Sequence, residues 1–330
     1  LLSLFRFKLI LVLRFILGYY SDIKNLKKNF SSLSNVGLCL YIREHELNAW
    51  QVAGQYYLYQ EFISKHQPII ISSKLGMLIF GRRVNSFYSA EPGYMAPRLR
   101  FPKNKVSAIF VSDPWSKPNW LPSYYKEKNV TYILTPYRNM FLNTAGLTGI
   151  PSNNVISFPW CVPEQFINNE NLVVNSEIIM FGANKNVGFY NMRTFLSSSN
   201  YIDSVLNFGG SENRAFTLGD YFNWLSKTSC CVCAVSDEPY YSFPVAKNFE
   251  IPASGSLLLT YECDELNELG FIDGVNCIVF NKYNFDSIAR KVKMNPENYV
   301  SIRKSGTKLI KSRHLISHRI DQLESILGIK

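Results

Sequence analysis

P-V-A-K-N-F-E-I-P-A-S-G-S-L-L-L-T-Y, residues 244–261, passes from helix to strand across one glycine. Pro244 suits the opening of a helix, because its fixed φ and missing N–H cost nothing there. Val245 to Ser254 predicts a short helix, Gly255 its stop, and Ser256 to Tyr261 a buried strand. Pro252 runs against this pattern, since an interior proline removes a helix hydrogen bond and should kink or shorten the helix. Lys247 and Glu250 are three residues apart and share a face. A lysine at a helix start, beside free backbone N–H groups, can make a diphosphate site. A carboxylate one turn later can accept both hydroxyls of a ribose. Spacing alone favours a surface Lys–Glu pair beside a core helix.

Short apolar runs alternate with helical stretches on either side of this segment. Residues 176–182, 203–210, 230–235, 256–261 and 276–280 predict strands in the second half of the chain. Residues 37–42, 68–73, 107–112, 130–135 and 155–159 predict strands in the first half, with a helix over 49–65. The runs are mostly continuous and apolar, the mark of strands covered on both faces, and strand–helix–strand repetition implies parallel sheets. The stretch F-P-W-C-V-P-E-Q-F-I-N-N-E-N at 158–171 interrupts the series and predicts a linker. From about Phe285 onward the chain predicts amphipathic helices. No internal repeat is visible. The expected fold is α/β, two Rossmann-like domains facing across a cleft. Its expected parts are an apolar basic helix at 1–30, an N-terminal domain at 31–160 and a C-terminal domain with terminal helices at 161–330. Ligands of such sheets sit beyond the carboxyl ends of the strands.

The 330 residues are ample for two cores, and a 47% apolar, 18% charged composition excludes wholesale disorder. The net charge of +10 is concentrated at the ends. Residues 1–30 carry six Lys/Arg against one acid, and residues 282–330 carry eleven against four. Basic ends on a neutral body fit an anionic membrane surface or a polyanionic acceptor, or simply solvated helices, and argue against a nucleic-acid partner. Seven cysteines, an odd number, lie mostly in apolar runs and suggest buried thiols in a reducing, cytoplasmic compartment. His314 and His318 stand four apart with no carboxylate or thiolate beside them, a weak metal signal. The opening L-L-S-L-F-R-F-K-L-I-L-V-L-R-F-I-L-G is very apolar, but Arg6, Lys8 and Arg14 argue against a spanning helix. An interfacial helix, giving peripheral contact with the inner face of a membrane, and a buried helix both remain open.

Segment 247–255 resembles the donor-site signature of glycosyltransferases with the GT-B fold, particularly the CgeB-like (spore maturation) group. Those proteins tend to read K-Y-F-E-I-x-A-x-G, and this chain has Lys247, Phe249, Glu250, Ala253 and Gly255. Tyr190, Arg193 and Leu196 resemble the family's Y-x-x-R-x-x-L. Pro159 and Val162 fit an interdomain P-x-x-V-D-x-x-x-F, but Pro163 stands in place of the Asp and Phe166 comes one residue early. The stretch 314–323 resembles a terminal H-T-x-x-x-R-x-x-x-L, with Leu315 in place of Thr.

The resemblance implies transfer of a sugar from a nucleotide-sugar donor to a glycan, lipid-linked or protein acceptor, as in polysaccharide biosynthesis. A two-domain scaffold or membrane-associated binding protein without catalysis is the alternative. Carried over by position, Glu250 would hold the ribose and Lys247 the phosphates. Gly182 would let the backbone approach the donor, Gly255 would serve the turn, and Tyr190 would lie beside the donor. Arg193 would reach a phosphate or tie its helix to the sheet. The N-terminal domain would bind the acceptor. No D-x-D motif is present, which suits a metal-free site with no cofactor beyond the donor. For the catalytic base, strand ends offer His45, in R-E-H-E, and Asp113, in S-D-P-W.

Overall fold

The computed structural model describes residues 2–33, 37–44, 53–168, 172–183, 188–206 and 218–329. The chain divides into two units. Unit 1 comprises Leu1–Trp50, Tyr59–Phe158 and Ile320–Lys330, and unit 2 comprises Gln51–Leu58 and Pro159–Arg319.

The strands of unit 1 are β1 (Leu38–Tyr41), β2 (Ile69–Ile71), β3 (Ser86–Ser89), β4 (Val106–Phe110), β5 (Tyr132–Thr135) and β6 (Val155–Ser157). They form one sheet in the order β2-β1-β3-β4-β5-β6, parallel throughout. The helices in this stretch of chain are α1 (Leu2–Lys24), α2 (Leu26–Ser32), α3 (Ala53–His66), α4 (Lys74–Phe80), α5 (Leu121–Glu127) and α6 (Arg138–Asn143). β1 and β2 are buried at every residue, as continuous apolar runs require. Hydropathy does not single out β3. Its sequence S-F-Y-S places two aromatics between serines, and all four residues are buried. Ser89 meets its burial by donating to Ala90 O at 2.8 Å.

The edge strand β2 explains an inversion in α1 and α2. An edge presents unpaired backbone groups that need polar partners or cover. Asn29 supplies both kinds of bond, donating to Ile70 O at 2.8 Å and accepting from Ile70 N at 3.0 Å. Asp22 accepts from Ser72 N at 2.7 Å and from Gly76 N at 2.9 Å, which also serves the first turn of α4. Gly18 lies so close that a Cβ would sit 2.8 Å from Ser72 O. Gly18, Asp22, Asn25 and Asn29 therefore form a buried small and polar stripe. Leu9, Ile10, Val12, Leu13, Phe15, Ile16 and Leu17 of α1 take the outer side.

Unit 2 repeats the topology. β7 (Ile178–Phe181), β8 (Ser204–Leu206), β9 (Cys230–Cys233), β10 (Leu257–Tyr261) and β11 (Ile278–Phe280) follow the order β11-β10-β9-β7-β8, all parallel. In chain order both sheets read 2-1-3-4-5, with a sixth strand added in unit 1. All five second-half strands match their predicted runs. The helices in this stretch of chain are α7 (Asn191–Leu196), α8 (Leu218–Leu225), α9 (Ala246–Ala253), α10 (Glu265–Glu268), α11 (Phe285–Met294), α12 (Val300–Arg313) and α13 (Ile316–Leu327), whose residues from Ile320 onward belong to unit 1. A core of Ile178, Met180, Val232, Leu257, Leu259 and Phe280 from the strands packs against Phe285, Ala289 and Val292 of α11.

Candidate donor site

In a doubly wound sheet the strand order reverses once, and a crevice opens beyond the strand ends at that point. In unit 2 the reversal falls between β7 and β9. Phe181, Gly182 and Ala183 leave β7 there, and Ala234, Val235 and Ser236 leave β9. Gly182 has φ +115°, which only glycine adopts readily, while its N–H donates to Leu206 O at 3.0 Å.

Helix α9 carries the two residues on which the sequence reading centres. Val245 precedes it in extended conformation, and Asn248 Oδ1 accepts from Val245 N at 2.9 Å. The same amide donates to Thr260 Oγ1 at 2.8 Å and receives the Cys233 thiol at 3.2 Å. Asn248 thus ties the first turn of α9 to β9 and β10. Pro252 falls in the last turn of this eight-residue helix, so the missing N–H costs one terminal bond. Its carbonyl accepts from Thr307 Oγ1 at 2.8 Å and from Gly255 N at 3.1 Å. Its ring lies against Gly306 of α12, where a Cβ would come within 3.1 Å of the proline and 2.7 Å of Asn276 O. The proline is thereby a packing surface. Gly255, at φ +82°, makes the turn into β10, and its carbonyl accepts from Arg303 Nε at 2.7 Å.

Lys247 and Glu250 come together with residues of two other elements. The Lys247 ammonium lies 4.8 Å from the centroid of the Phe181 ring. The Glu250 carboxylate is buried and accepts from the Tyr221 hydroxyl at 2.8 Å. Tyr221 is on α8 and packs edge-on to Phe181 with centroids 6.2 Å apart. A cation beside a helix N-terminus and a carboxylate one turn later therefore share one aromatic wall at the carboxyl end of β7. The nearby Cys233 thiol is pushed up to about 11, first by burial; Lys247 and Arg193 oppose the shift and Glu250 adds to it.

Arg193 occupies the reversal point itself. It is 4% exposed, donates from Nη1 to Ala183 O and from Nη2 to Ala234 O at 3.2 Å, and lies 4.8 Å over the Tyr190 ring. It joins the ends of β7 and β9, the tying role that the sequence reading set beside a phosphate contact. Tyr190 is half-buried at the start of α7. His314 is buried, with Nε2 at 2.8 Å from Leu269 O and Nδ1 accepting from Arg319 Nη2 at 3.0 Å. His318 Nδ1 accepts from Leu315 N at 3.2 Å. The two histidines serve the C-terminal helices, and among the described residues no group of metal-binding side chains occurs.

In unit 1 Asp113 stands beyond β4 at φ +48°, ψ +59°, a left-handed conformation rare outside glycine. Glu91, which follows β3, is buried, ion-paired to Lys117, and accepts from Ser112 Oγ at 2.6 Å and Ser112 N at 3.2 Å. Asp113 keeps an exposed face but is crowded by protein on the other. Crowding first, and the negative charge of Glu91 second, raise its carboxyl to about 6 against the attraction of Lys117. His45 lies outside the described residues. Glu44, beside it, accepts from Asn25 Nδ2 at 2.6 Å and Ser21 Oγ at 3.1 Å, a structural duty. Glu91, Lys117, Phe181 and Tyr221 escaped the sequence reading. Phe181 had a signal, an aromatic residue where a predicted strand ends, whereas Glu91 follows β3, which hydropathy does not reveal.

Residues 195–325 match the sequence profile of a family described as Glycosyl transferase-like. No curated protein matches the chain. Among solved structures, HepE of Anabaena in complex with UDP-glucose is similar at 10% identity, with a TM-score of 0.53 over 88% of this chain and 98% of that one. A glycosyltransferase from Rickettsia africae is similar at 12% identity, with a TM-score of 0.53 over 88% and 97%. The structural likeness establishes the fold, and the profile match covers the part of the chain that holds α9. The chain has the GT-B fold, and its residues 195–325 match a glycosyl transferase-like profile. Within its described residues the profile spans α7 from Phe195 to α13, and so takes in Tyr221, Lys247, Glu250 and Gly255.

Proposed function

We propose that this chain is a glycosyltransferase that takes its sugar from a nucleoside diphosphate sugar bound at the carboxyl end of β7, with uridine diphosphate the first nucleotide to test. The observation that carries the reading is the Lys247–Phe181–Tyr221–Glu250 group. Lys247 and the N-terminus of α9 offer positive charge to the departing diphosphate, and they do so without a metal ion or other cofactor. Glu250 accepts the ribose hydroxyls in place of the Tyr221 hydroxyl. Gly182 leaves room for the donor against the backbone. HepE, whose fold this chain shares, has been solved with UDP-glucose, which supports beginning with uridine.

The acceptor is a glycan, lipid-linked or protein hydroxyl, and Asp113 is its base, its carboxyl raised to about 6 by crowding first and by Glu91 second. The enzyme works at the inner face of a membrane, in peripheral contact with it. Isothermal titration with uridine diphosphate tests the donor site. Lys247→Ala and Glu250→Ala should each weaken binding at least about tenfold, the loss of one charge-assisted hydrogen bond, with the fold intact by circular dichroism. Unchanged affinity in both variants would sink the assignment.

A further inference from the structure

The inverted helix α1 carries an inference about the partner that covers it. Its polar stripe is committed inward, because the edge of β2 needs Asn29 and Asp22. Apolar residues from Leu9 onward are left outside. Leu9, Leu13, Phe15, Ile16, Tyr20 and Ile23 are each about half or more exposed, and Phe30 on α2 and Leu78 on α4 extend the surface. A row of this length on one helix exceeds the scattered apolar residues that any protein surface carries. Between Leu9 and Leu17 exposed apolar side chains cover most of the helix circumference, with Arg14 the one charge. That stretch is about 13 Å long at the helical rise per residue, within one leaflet of a bilayer core about 30 Å thick. No described helix is long and apolar enough to cross a membrane.

Charge selects the occupant. Lys24, Lys27 and Lys28 follow the apolar stretch, and Lys74, Arg82 and Arg83 flank the exposed Leu78; all six are exposed. The Arg83 guanidinium lies 5.7 Å from the Phe30 ring centroid, which joins the charged and apolar parts. The acid of α1 and α2, Asp22, is buried against backbone N–H groups. Apolar residues backed by one sign of charge match an acyl layer beneath anionic headgroups.

We propose that α1, α2 and α4 dock this enzyme on an anionic lipid surface, with Leu9 to Leu17 inserted in one leaflet and the lysines and arginines on its headgroups. The inference rests on the peripheral placement proposed above and gives it a surface and a lipid chemistry. The test is flotation of the full chain with phosphatidylcholine vesicles, with and without phosphatidylglycerol, so that aggregated protein stays at the bottom of the gradient. The wild type should float with the anionic vesicles, less so at high salt, and weakly with phosphatidylcholine alone. Leu13→Asp/Ile16→Asp should float with neither, while its thermal unfolding matches the wild type, since both side chains are exposed. Lys24→Glu/Lys27→Glu/Lys28→Glu should weaken anionic binding about a hundredfold or more, at about fivefold per basic residue. A wild type that floats with neither vesicle overturns the proposal, as does either variant floating like the wild type. So does a wild-type dimer in sedimentation velocity that ignores vesicles and is broken by Leu13→Asp/Ile16→Asp, since the occupant is then a second copy. Uridine diphosphate titration of the same preparations reads the donor site separately, so failure of one reading leaves the other visible.

Discussion

Replacing Arg193 with lysine separates two roles for one cation. The guanidinium bridges Ala183 O and Ala234 O where β7 and β9 end, and almost none of it meets solvent. Lysine keeps the charge but lacks the planar fork, so it cannot serve both carbonyls in a fixed geometry. One buried acceptor then goes without its donor, at a cost of about 1–3 kcal/mol. Methionine removes both bonds and should cost about twice as much. For a unit of this size each kcal/mol moves the melting midpoint by about 2–4 °C. The lysine variant should therefore lose about 6 °C and the methionine variant about 12 °C, taking the middle of those ranges. Scanning calorimetry is the suitable assay, because two units need not melt in a single step and each transition can be fitted. Nucleotide affinity should fall in both variants only as far as the reversal point loosens. A lysine variant that melts with the wild type, yet binds uridine diphosphate at least about tenfold more weakly, would refute the bridging argument and make Arg193 a phosphate ligand.

Two further predictions concern pH. His314 is held neutral, its titration lowered to about 3 by burial first and by the neighbouring arginines as well. The unfolded chain therefore binds more protons than the folded one between about 3 and 6.5, so stability is full above 6.5 and falls as pH drops. His314→Gln should flatten the acid side of a stability profile measured by denaturant unfolding, and an unchanged slope would count against it. Asp113 shifts the other way, to about 6. Here the folded chain holds the extra proton between about 3.8 and 6, so this group's contribution to stability declines as pH rises through that window. As a base it acts deprotonated, and the transfer rate should climb through about pH 6 before levelling. Asp113→Asn should remove that rise together with most of the rate, whereas an intact rise in the variant would assign the base elsewhere.

The strands and the helix–glycine–strand passage at α9 were legible in the sequence because their runs are long, apolar and bounded by turn residues. β3 was not, since S-F-Y-S is a pair of aromatics between two polar serines and makes no apolar run, although every residue is buried. Lys247 and Glu250 were legible as a pair, but their company was not. Phe181 and Tyr221 lie far away in the chain and reach them only through the parallel crossovers. Pro252 made no sense in one dimension because its reason, Gly306, is more than fifty residues later. The direction of α1 was misleading by nature. Periodicity assigns the apolar stripe inward, and here the hydrogen-bonding demand of an edge strand turns the polar stripe inward instead.

The cysteine run on β9 has a chemical consequence. Cys230, Cys231 and Cys233 are buried in the strand at the middle of the unit 2 sheet, and burial pushes the Cys231 thiol up to about 12. Oxidants and alkylating reagents attack the thiolate, so these sulfurs are inert while the strand is packed. Any mark they acquire must be written during an excursion in which the sheet has opened. The oxidation state of β9 is in effect a record of how often the protein has come apart at its centre.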